Sequence, residues 1–314
     1  MIEDLTWELV VVGGGPAGMT AAIYASRYGL KTILIESKVL GGAQATSPGI
    51  ENYPGYTFIS GIELAEKMKE QVRKSGATIK EITEVRSIEI ADGGSFHLDT
   101  RRGVYQAQAV VLATGGGHKK LNMPGEEQYT GRGVSYCATC DGPLFRNKTL
   151  AVVGGGNTAV TEALYLSELT DTLYLIHRRD RLRAEHIIQQ MLFDTHVEIL
   201  WDTMVKEFRG DDQLLKQLEL ENVKSGERRT LEVDGTFVAL GSDPESKLAK
   251  PLGVQMNKSG EIFTDGQQRT NVPGLFAAGD VVESLKQIVV AAGQGAIAAD
   301  SAYRYIRDVR RGPL

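Results

Sequence analysis

Leu9-Val10-Val11-Val12-Gly13-Gly14-Gly15-Pro16-Ala17-Gly18 decides how the rest of the chain is read. Four apolar residues have the pattern of a buried strand, a glycine cluster follows, and Met19 to Tyr28 continues with helical character. Thr32-Ile33-Leu34-Ile35 reads as a second strand, ending on Glu36, 23 residues after Gly13. Strand, glycine turn, helix, strand and acid is the order of a dinucleotide cradle. Gly13, Gly15 and Gly18 permit the tight turn and close packing, Pro16 and Ala17 open the helix toward a pyrophosphate, and Glu36 accepts from ribose hydroxyls. The bare G-x-G-x-x-G spacing also fits an ordinary strand–helix turn; the flanking strands and the acid separate the two readings.

The pattern recurs at an offset of 141 residues, Gly13 to Gly154, Gly15 to Gly156 and Gly18 to Ala159. Leu150-Ala151-Val152-Val153 leads into Gly154-Gly155-Gly156-Asn157-Thr158-Ala159, a helical stretch, and then the strand Leu173-Tyr174-Leu175-Ile176. At the position of Glu36 the second copy has His177-Arg178-Arg179, with Arg183 following. A carboxylate suits a free ribose hydroxyl, whereas a cationic cluster suits a 2′-phosphate. The first cradle is therefore expected to take an unphosphorylated adenosine ribose and the second NADP(H). A solvated basic turn is the competing reading of the arginines, disfavoured by their place at the ribose-reading position.

At 314 residues the chain is about twice the usual domain size, which predicts two domains. Its 42% hydrophobic and 24% charged residues fit a folded globular protein. A net charge of −5 argues against a nucleic-acid partner. No apolar run approaches the roughly 18–20 residues that span a bilayer. Met1 to Trp7, with Glu3 and Asp4, does not read as a signal peptide. Glycine stands at 36, against about 22 for average usage. After the first cradle an amphipathic stretch, Ile62 to Lys74, and short alternating strands lead to Ala109-Val110-Val111-Leu112-Ala113-Thr114-Gly115. Phe237-Val238-Ala239-Leu240-Gly241 ends the second copy in the same way. The remaining C-terminal part is too short for a third core. The reading is an α/β chain of two Rossmann-like, three-layer ββα domains, the second inserted into the first. Residues 1–117 with 247–314 make one, and 118–246 the other.

Cys137-Ala138-Thr139-Cys140-Asp141 holds the only two cysteines. The C-x-x-C spacing allows a small-ring disulfide and a lowered thiolate pKa in one thiol. Zinc would need two further ligands at short spacing, and His118 and His177 lack it. A redox-active pair is therefore expected, since two dinucleotide modules need somewhere for electrons to go. Reducing a disulfide requires a proton for the leaving thiolate, and Asp141 is the nearest candidate acid. A cap on the local turn is the alternative role for Asp141.

With these residues in view the chain resembles the low-molecular-weight, NADPH-dependent thioredoxin reductases over nearly its whole length. The resemblance rests on Gly13 to Gly18, Glu51-Asn52-Tyr53-Pro54-Gly55, Ala113-Thr114-Gly115, Cys137 to Asp141, Gly154 to Ala159, His177 to Arg183, Gly279-Asp280 and Gln287. It implies FAD in the first cradle and NADPH in the second. It further implies cofactor contacts from Ser37, Gly42, Gln44, Asn52, Val85, Ala113, Thr114, Gly115, Gly279, Asp280, Gln287 and Ile288, the helix after Gln287 pointing its N-terminus at the flavin ring. By the same resemblance, electrons run from NADPH through FAD to the Cys137–Cys140 disulfide and on to a thioredoxin-type protein. The resemblance also implies that Cys140 faces the flavin and Cys137 the partner, in a cytoplasmic homodimer. Because the nicotinamide site and the dithiol must reach one flavin in turn, the inserted domain is expected to rotate.

The chain departs from the family pattern at Asn157, Thr161 and Lys286, and Gln44 stands one place later than the usual Gly-Gly-Gln. Three other activities use comparable parts. A related flavoprotein takes electrons from ferredoxin or a deazaflavin, and a small-molecule dithiol oxidase runs the relay toward oxygen. A nucleotide-binding redox sensor has the sites without turnover. An alkyl-hydroperoxide reductase flavoprotein would carry a further redox domain ahead of the first cradle, for which no room is expected before Gly13.

Overall fold

A computed structural model of the chain describes residues 5–47 and 49–311. Glu3 and Asp4, on which the reading of the first residues leaned, lie outside the described residues. The chain forms two compact units: one from the N-terminal segment through Ser47, Tyr53–Gly117 and the chain from Asp243 onward, the other from His118–Ser242 with residues 49–52.

In the first unit the parallel strands Thr78–Lys80, Thr32–Ile35, Thr6–Val12 and Gly103–Leu112 lie side by side, and Leu275–Ala277 pairs with the last of them. Val85–Ile90 and Phe96–Thr100 fold antiparallel onto the first half of Gly103–Leu112. Because side chains alternate along a strand, Val10, Val12, Ile33 and Ile35 pack on that antiparallel layer through Val85, Ile88, Phe96 and Leu98. Leu9, Val11 and Leu34, also fully buried, point to the opposite face, where the helix Pro16–Arg27 packs. Burying each such side chain contributes roughly 1.5–3 kcal/mol before entropy is counted. Alongside runs the helix Ile288–Arg311, which comes so close that a Cβ on Gly295 would stand 2.1 Å from the Ala17 carbonyl oxygen. The helix Gly61–Ser75 starts where Ser60 Oγ accepts the Glu63 N–H and stops at Gly76, whose φ of +90° is costly for other residues.

The second unit repeats the plan. Glu198–Leu200, Leu173–Ile176, Leu150–Gly154, Gly235–Ala239 and Val134–Ser135 form a parallel sheet in that order. Leu150, Val152, Leu173, Leu175 and Phe237 pack on the helix Asn157–Ser167 through Ala159, Val160, Ala163 and Leu166. Ala151, Val153, Ile176 and Val238 pack on the meander Thr203–Gly210, Leu215–Asn222 and Arg228–Glu232. Three layers in each unit match the Rossmann-like plan read from the two glycine clusters.

Register is what positions the sites. Val12 pairs with both Ile35 and Leu112, and Ala277 pairs with Leu112. Gly13, Glu36, Ala113 and Gly279 therefore emerge at one carboxyl edge, where ligands bind in open α/β sheets. In the second unit Val153 pairs with Ile176 and Val238, bringing Gly154, His177 and Ala239 to one edge.

Two boundaries differ from those expected. The second unit closes at Ser242 rather than at residue 246, because the Glu245 N–H donates to the Gly115 carbonyl at 3.0 Å and Thr114 Oγ1 to the Glu245 carbonyl at 2.6 Å. Residues 49–52, Asn52 included, group with the second unit rather than with the unbroken first segment.

Candidate active site

The first cradle is built by close approach. Gly13 has φ +108°, and a Cβ there would lie 2.2 Å from the Ala113 carbonyl oxygen; at Gly18 it would lie 1.8 Å from the Gly13 carbonyl oxygen. Both glycines are required by the protein's own packing. Gly15 is different: it has only the Gly42 Cα, at 3.7 Å, near its virtual Cβ. It is the N-cap of the Pro16–Arg27 helix and offers no side-chain cap, so the first-turn N–H groups of that helix are left for a ligand. Glu36 is set in place beforehand. Its Oε2 accepts the Gly14 N–H at 2.6 Å, and its Oε1 accepts the Ser37 hydroxyl at 3.0 Å and the Lys38 N–H at 2.8 Å.

Around this loop, Gly279 has φ +80°, its N–H held by Gln294 Oε1 at 2.8 Å. Lys286, which stands where the family pattern has Arg, donates to the Asp280 carbonyl at 3.0 Å and to the Val282 carbonyl, and pairs with Glu261 at 2.8 Å. One cation therefore fastens the loop that leads into the Ile288–Arg311 helix, just after Gln287. Gln44 is buried; its amide Nε2 meets Met68 Sδ while Oε1 is shut from solvent without a partner. Val85 is a core side chain on a strand residue paired with Thr100, so its side chain is closed to a ligand. Ser37 and Asn52 are exposed, and Thr114 is half-buried with its hydroxyl committed to Glu245. A Cβ on Gly115 would meet nothing within 4 Å. An uncapped helix, a carboxylate held at the ribose position and an orphaned buried amide oxygen fit a bound dinucleotide.

The second cradle has the same skeleton. A Cβ on Gly154 would sit 2.5 Å from the Ala239 carbonyl oxygen, whereas Gly156 has nothing within 4 Å and caps the Asn157–Ser167 helix without a side chain. Arg178, Arg179 and Arg183 are exposed together at this edge. His177 does not join them. Its ring lies buried beneath Gly155, where a Cβ would be 2.2 Å away, and its Nε2 meets the Arg181 carbonyl at 3.0 Å. Burial, ahead of the neighbouring arginines, holds its pKa below the usual histidine value. His177 is thus a neutral floor of the cradle rather than a phosphate-binding cation. Asn157 is tied back to Glu185: its Nδ2 donates to Oε1 at 3.0 Å, and its Oδ1 accepts the Glu185 N–H at 2.9 Å. Thr158 is exposed in the first turn, and Thr161 is exposed on the same helix.

Cys137 and Cys140 are joined as a disulfide across a Cα–Cα distance of 5.3 Å. Cys137 precedes the single turn Ala138–Asp141, whose Cys140 and Asp141 N–H groups return to the Cys137 carbonyl at 3.3 and 3.1 Å. Asp141 Oδ2 accepts the Ser135 hydroxyl at 2.7 Å, while Oδ1 is buried with no partner. Burial raises the Asp141 pKa against the opposing pull of Ser135. Asp141 therefore keeps a proton to higher pH than an exposed aspartate. A disulfide beside a carboxyl whose pKa burial raises, on the unit that bears the second cradle, fits a dithiol relay.

A family model described as pyridine nucleotide-disulphide oxidoreductase matches residues 7–295. The chain belongs to the pyridine nucleotide-disulphide oxidoreductase family. Among curated members, a thioredoxin reductase of Treponema pallidum is 46% identical over 306 residues, covering 96% of this chain and 98% of that protein. One of Bacillus subtilis is 41% identical, covering 99% and 98%. A solved thioredoxin reductase from Streptococcus pyogenes superposes with a TM-score of 0.92 at 42% identity, covering 97% of this chain and 99% of that one. Family members of this kind are flavoproteins that use NAD(P)H. Among the described residues no group of three or more His, Cys, Asp or Glu is placed to hold a metal, and no helix is long and apolar enough to cross a membrane.

Several residues that shape the two glycine loops and the cysteine turn were not singled out from the sequence: Ser135, Glu162, Glu185, Glu261 and Gln294. Four of them act across 6 to 28 residues of chain, which no short motif encodes. Glu162 alone left a local sign. It lies three residues after Ala159 and four before Leu166, on the buried stripe of its helix.

Proposed function

We propose that this chain is a thioredoxin reductase that draws electrons from NADPH through FAD and the Cys137–Cys140 pair and passes them to a thioredoxin-type protein disulfide. The observation that carries this reading is the Cys137–Cys140 disulfide beside the half-buried carboxyl of Asp141, whose Oδ1 is shut from solvent. When bound, FAD supplies two-electron chemistry between a nicotinamide hydride donor and that disulfide.

The chain's own residues hold, select and move protons. Gly13, Gly15 and Gly18 let the backbone approach a pyrophosphate at the uncapped Pro16–Arg27 helix, and Glu36 selects an unphosphorylated ribose. Gly42, Gln44, Ala113 to Gly115, Gly279, Asp280, Gln287 and Ile288 surround the remainder of FAD, with Ser37, Asn52 and the Val85 backbone at its adenosine and flavin ends. Gly154, Gly156, Asn157 and Thr158 take the second pyrophosphate, and Arg178, Arg179 and Arg183 take a 2′-phosphate. Two electrons and two protons convert the disulfide to a dithiol, Asp141 supplying a proton to the departing sulfur. Cys137 as thiolate then attacks one sulfur of the partner disulfide and expels the other. Cys140 attacks Cys137, restoring the disulfide and releasing the partner as a dithiol. The three exposed arginines favour NADPH over ferredoxin or a deazaflavin as donor. We place the enzyme in the cytoplasm as a homodimer.

Anaerobic titration of the purified flavoprotein with NADPH, followed by addition of a thioredoxin, tests the assignment. Bleaching of flavin absorbance by NADPH and its return on adding oxidised thioredoxin are expected. Bleaching only by reduced ferredoxin, or peroxide release without a protein acceptor, would replace it with one of the rival activities.

A further inference from the structure

A second half-buried carboxyl lies against the cysteine turn. Glu162 is on the Asn157–Ser167 helix, which packs on the Ala138–Asp141 turn. Its carboxylate accepts the Ala138 N–H, and its Oε2 is shut from solvent without a partner. Ala138 is the first residue of that turn, and Cys137, the preceding residue, provides no side-chain cap. Glu162 thus caps, from a neighbouring helix, the turn that ends in Cys140 and Asp141.

The other groups around it are few. Of the elements packed on the Asn157–Ser167 helix, the strands Leu150–Gly154 and Gly235–Ala239 carry no titratable side chain. The helix His186–Phe193 brings only His186, which is exposed, and Leu173–Ile176 only Tyr174, which packs on the opposite sheet face. Tyr165 is on Glu162's own helix, and the cysteine turn brings Cys140 and Asp141. Burial pushes the Glu162 carboxyl up to about 7, opposed only by the Ala138 N–H.

We propose that Glu162 is a positioning residue for the redox pair, holding the cysteine turn through the Ala138 N–H and setting by its charge how readily the reduced cysteines ionise. Free N–H groups at the start of a helical turn favour a neighbouring thiolate. A carboxylate that occupies one of them and brings its own negative charge opposes that thiolate. The two ionisations are coupled: forming one raises the pKa of the other, and protonating Glu162 releases the thiolate. The inference rests on the redox reading of the pair, because only a reduced pair has thiols to ionise.

The full-length holoprotein, reduced with dithiothreitol, is alkylated with iodoacetamide across the neutral pH range, and modification of Cys137 and Cys140 is followed by mass spectrometry. Glu162→Gln keeps an acceptor for Ala138 but removes the charge; its alkylation midpoint is expected to fall by roughly one pH unit. Glu162→Asp keeps the charge and is expected to restore the wild-type midpoint, whereas Glu162→Ala is expected to follow the Gln variant. Because the midpoint tracks charge across three variants, loss of any one to misfolding leaves the comparison intact. A Gln or Ala variant with the wild-type profile overturns the inference alone. A wild-type pair that dithiothreitol cannot open overturns the redox reading as well.

Discussion

Ser135 Oγ donates to Asp141 Oδ2 at 2.7 Å, and the same oxygen accepts the Cys137 N–H at 3.1 Å. One hydroxyl thereby links the backbone at the first cysteine to the carboxyl beside the second. Ser135→Ala removes the hydrogen bond that favours ionised Asp141, so the carboxyl keeps its proton to still higher pH. The fall of turnover on the alkaline side should move to higher pH in this variant, read from the pH–rate profile of thioredoxin reduction. Asp141→Asn, which has no proton to give, should lower turnover about a hundredfold or more. An alkaline limb that stays put in Ser135→Ala counts against Asp141 as the donor.

Cys137→Ser should retain NADPH-dependent flavin bleaching yet lose transfer to thioredoxin. Stopped-flow absorbance reads the first and a coupled insulin-reduction assay the second. Turnover of thioredoxin by this variant would reassign the outward thiol.

Arg178 and Arg179 are exposed at the second cradle, whereas His177 is buried under Gly155. Replacing both arginines by Ala should weaken NADPH binding about 10- to 100-fold while leaving NADH binding nearly unchanged, since charge-assisted hydrogen bonds to the 2′-phosphate are what is lost. His177→Asn should instead lower the unfolding midpoint. Calorimetric titration with both nucleotides, set beside urea melts, distinguishes a ligand contact from a floor residue.

Gly155 and Gly156 are neighbours with opposite requirements. A methyl on Gly155 would meet the His177 ring at 2.2 Å, while one on Gly156 would meet nothing within 4 Å. Gly155→Ala should destabilise the second unit by about 1–3 kcal/mol. Gly156→Ala should keep wild-type stability and lose nucleotide affinity, because the proposed function brings a pyrophosphate into the open space beside it. Equal affinity for NADPH in Gly156→Ala and wild type would remove the pyrophosphate from that place.

Stability should carry the mark of Glu162. Its folded pKa of about 7 lies above the ordinary 4.5. The folded state therefore binds the extra proton, and stability is fullest below about pH 4.5 and declines as pH rises through about 7. That spacing corresponds to at most about 3 kcal/mol. Glu162→Gln should flatten this part of the curve in urea melts taken across the range; a slope unchanged by the substitution would exclude Glu162 as its source.

Much of the site was legible because its parts are short-range. Gly13, Gly18 and Gly154 could be read as close-approach positions from their place between a strand and a helix, and the structure puts backbone where their Cβ atoms would be. The acid-for-arginine exchange at positions 36 and 177–179 was legible for the same reason. His177 was misplaced because a motif gives neighbours in sequence and not the direction of a side chain. Strand alternation turns it inward at the end of Leu173–Ile176, under the glycine loop. The meaning of Asn157 was also hidden, since its partner Glu185 lies 28 residues away and meets it only once loop and basic segment share an edge.

Local order along the chain was enough to read two glycine-turn motifs, two Rossmann-like units and one close cysteine pair, because glycine turns, buried strand runs and a C-x-x-C pair declare themselves within a few residues. Only tertiary packing decided which groups meet there: Ser135 under Asp141, Glu162 on the Ala138 N–H, Glu261 on Lys286, and a unit boundary at Ser242. Those contacts depend on sheet register and on helix facing, which are set by the collective burial of apolar surface and are written in no single segment.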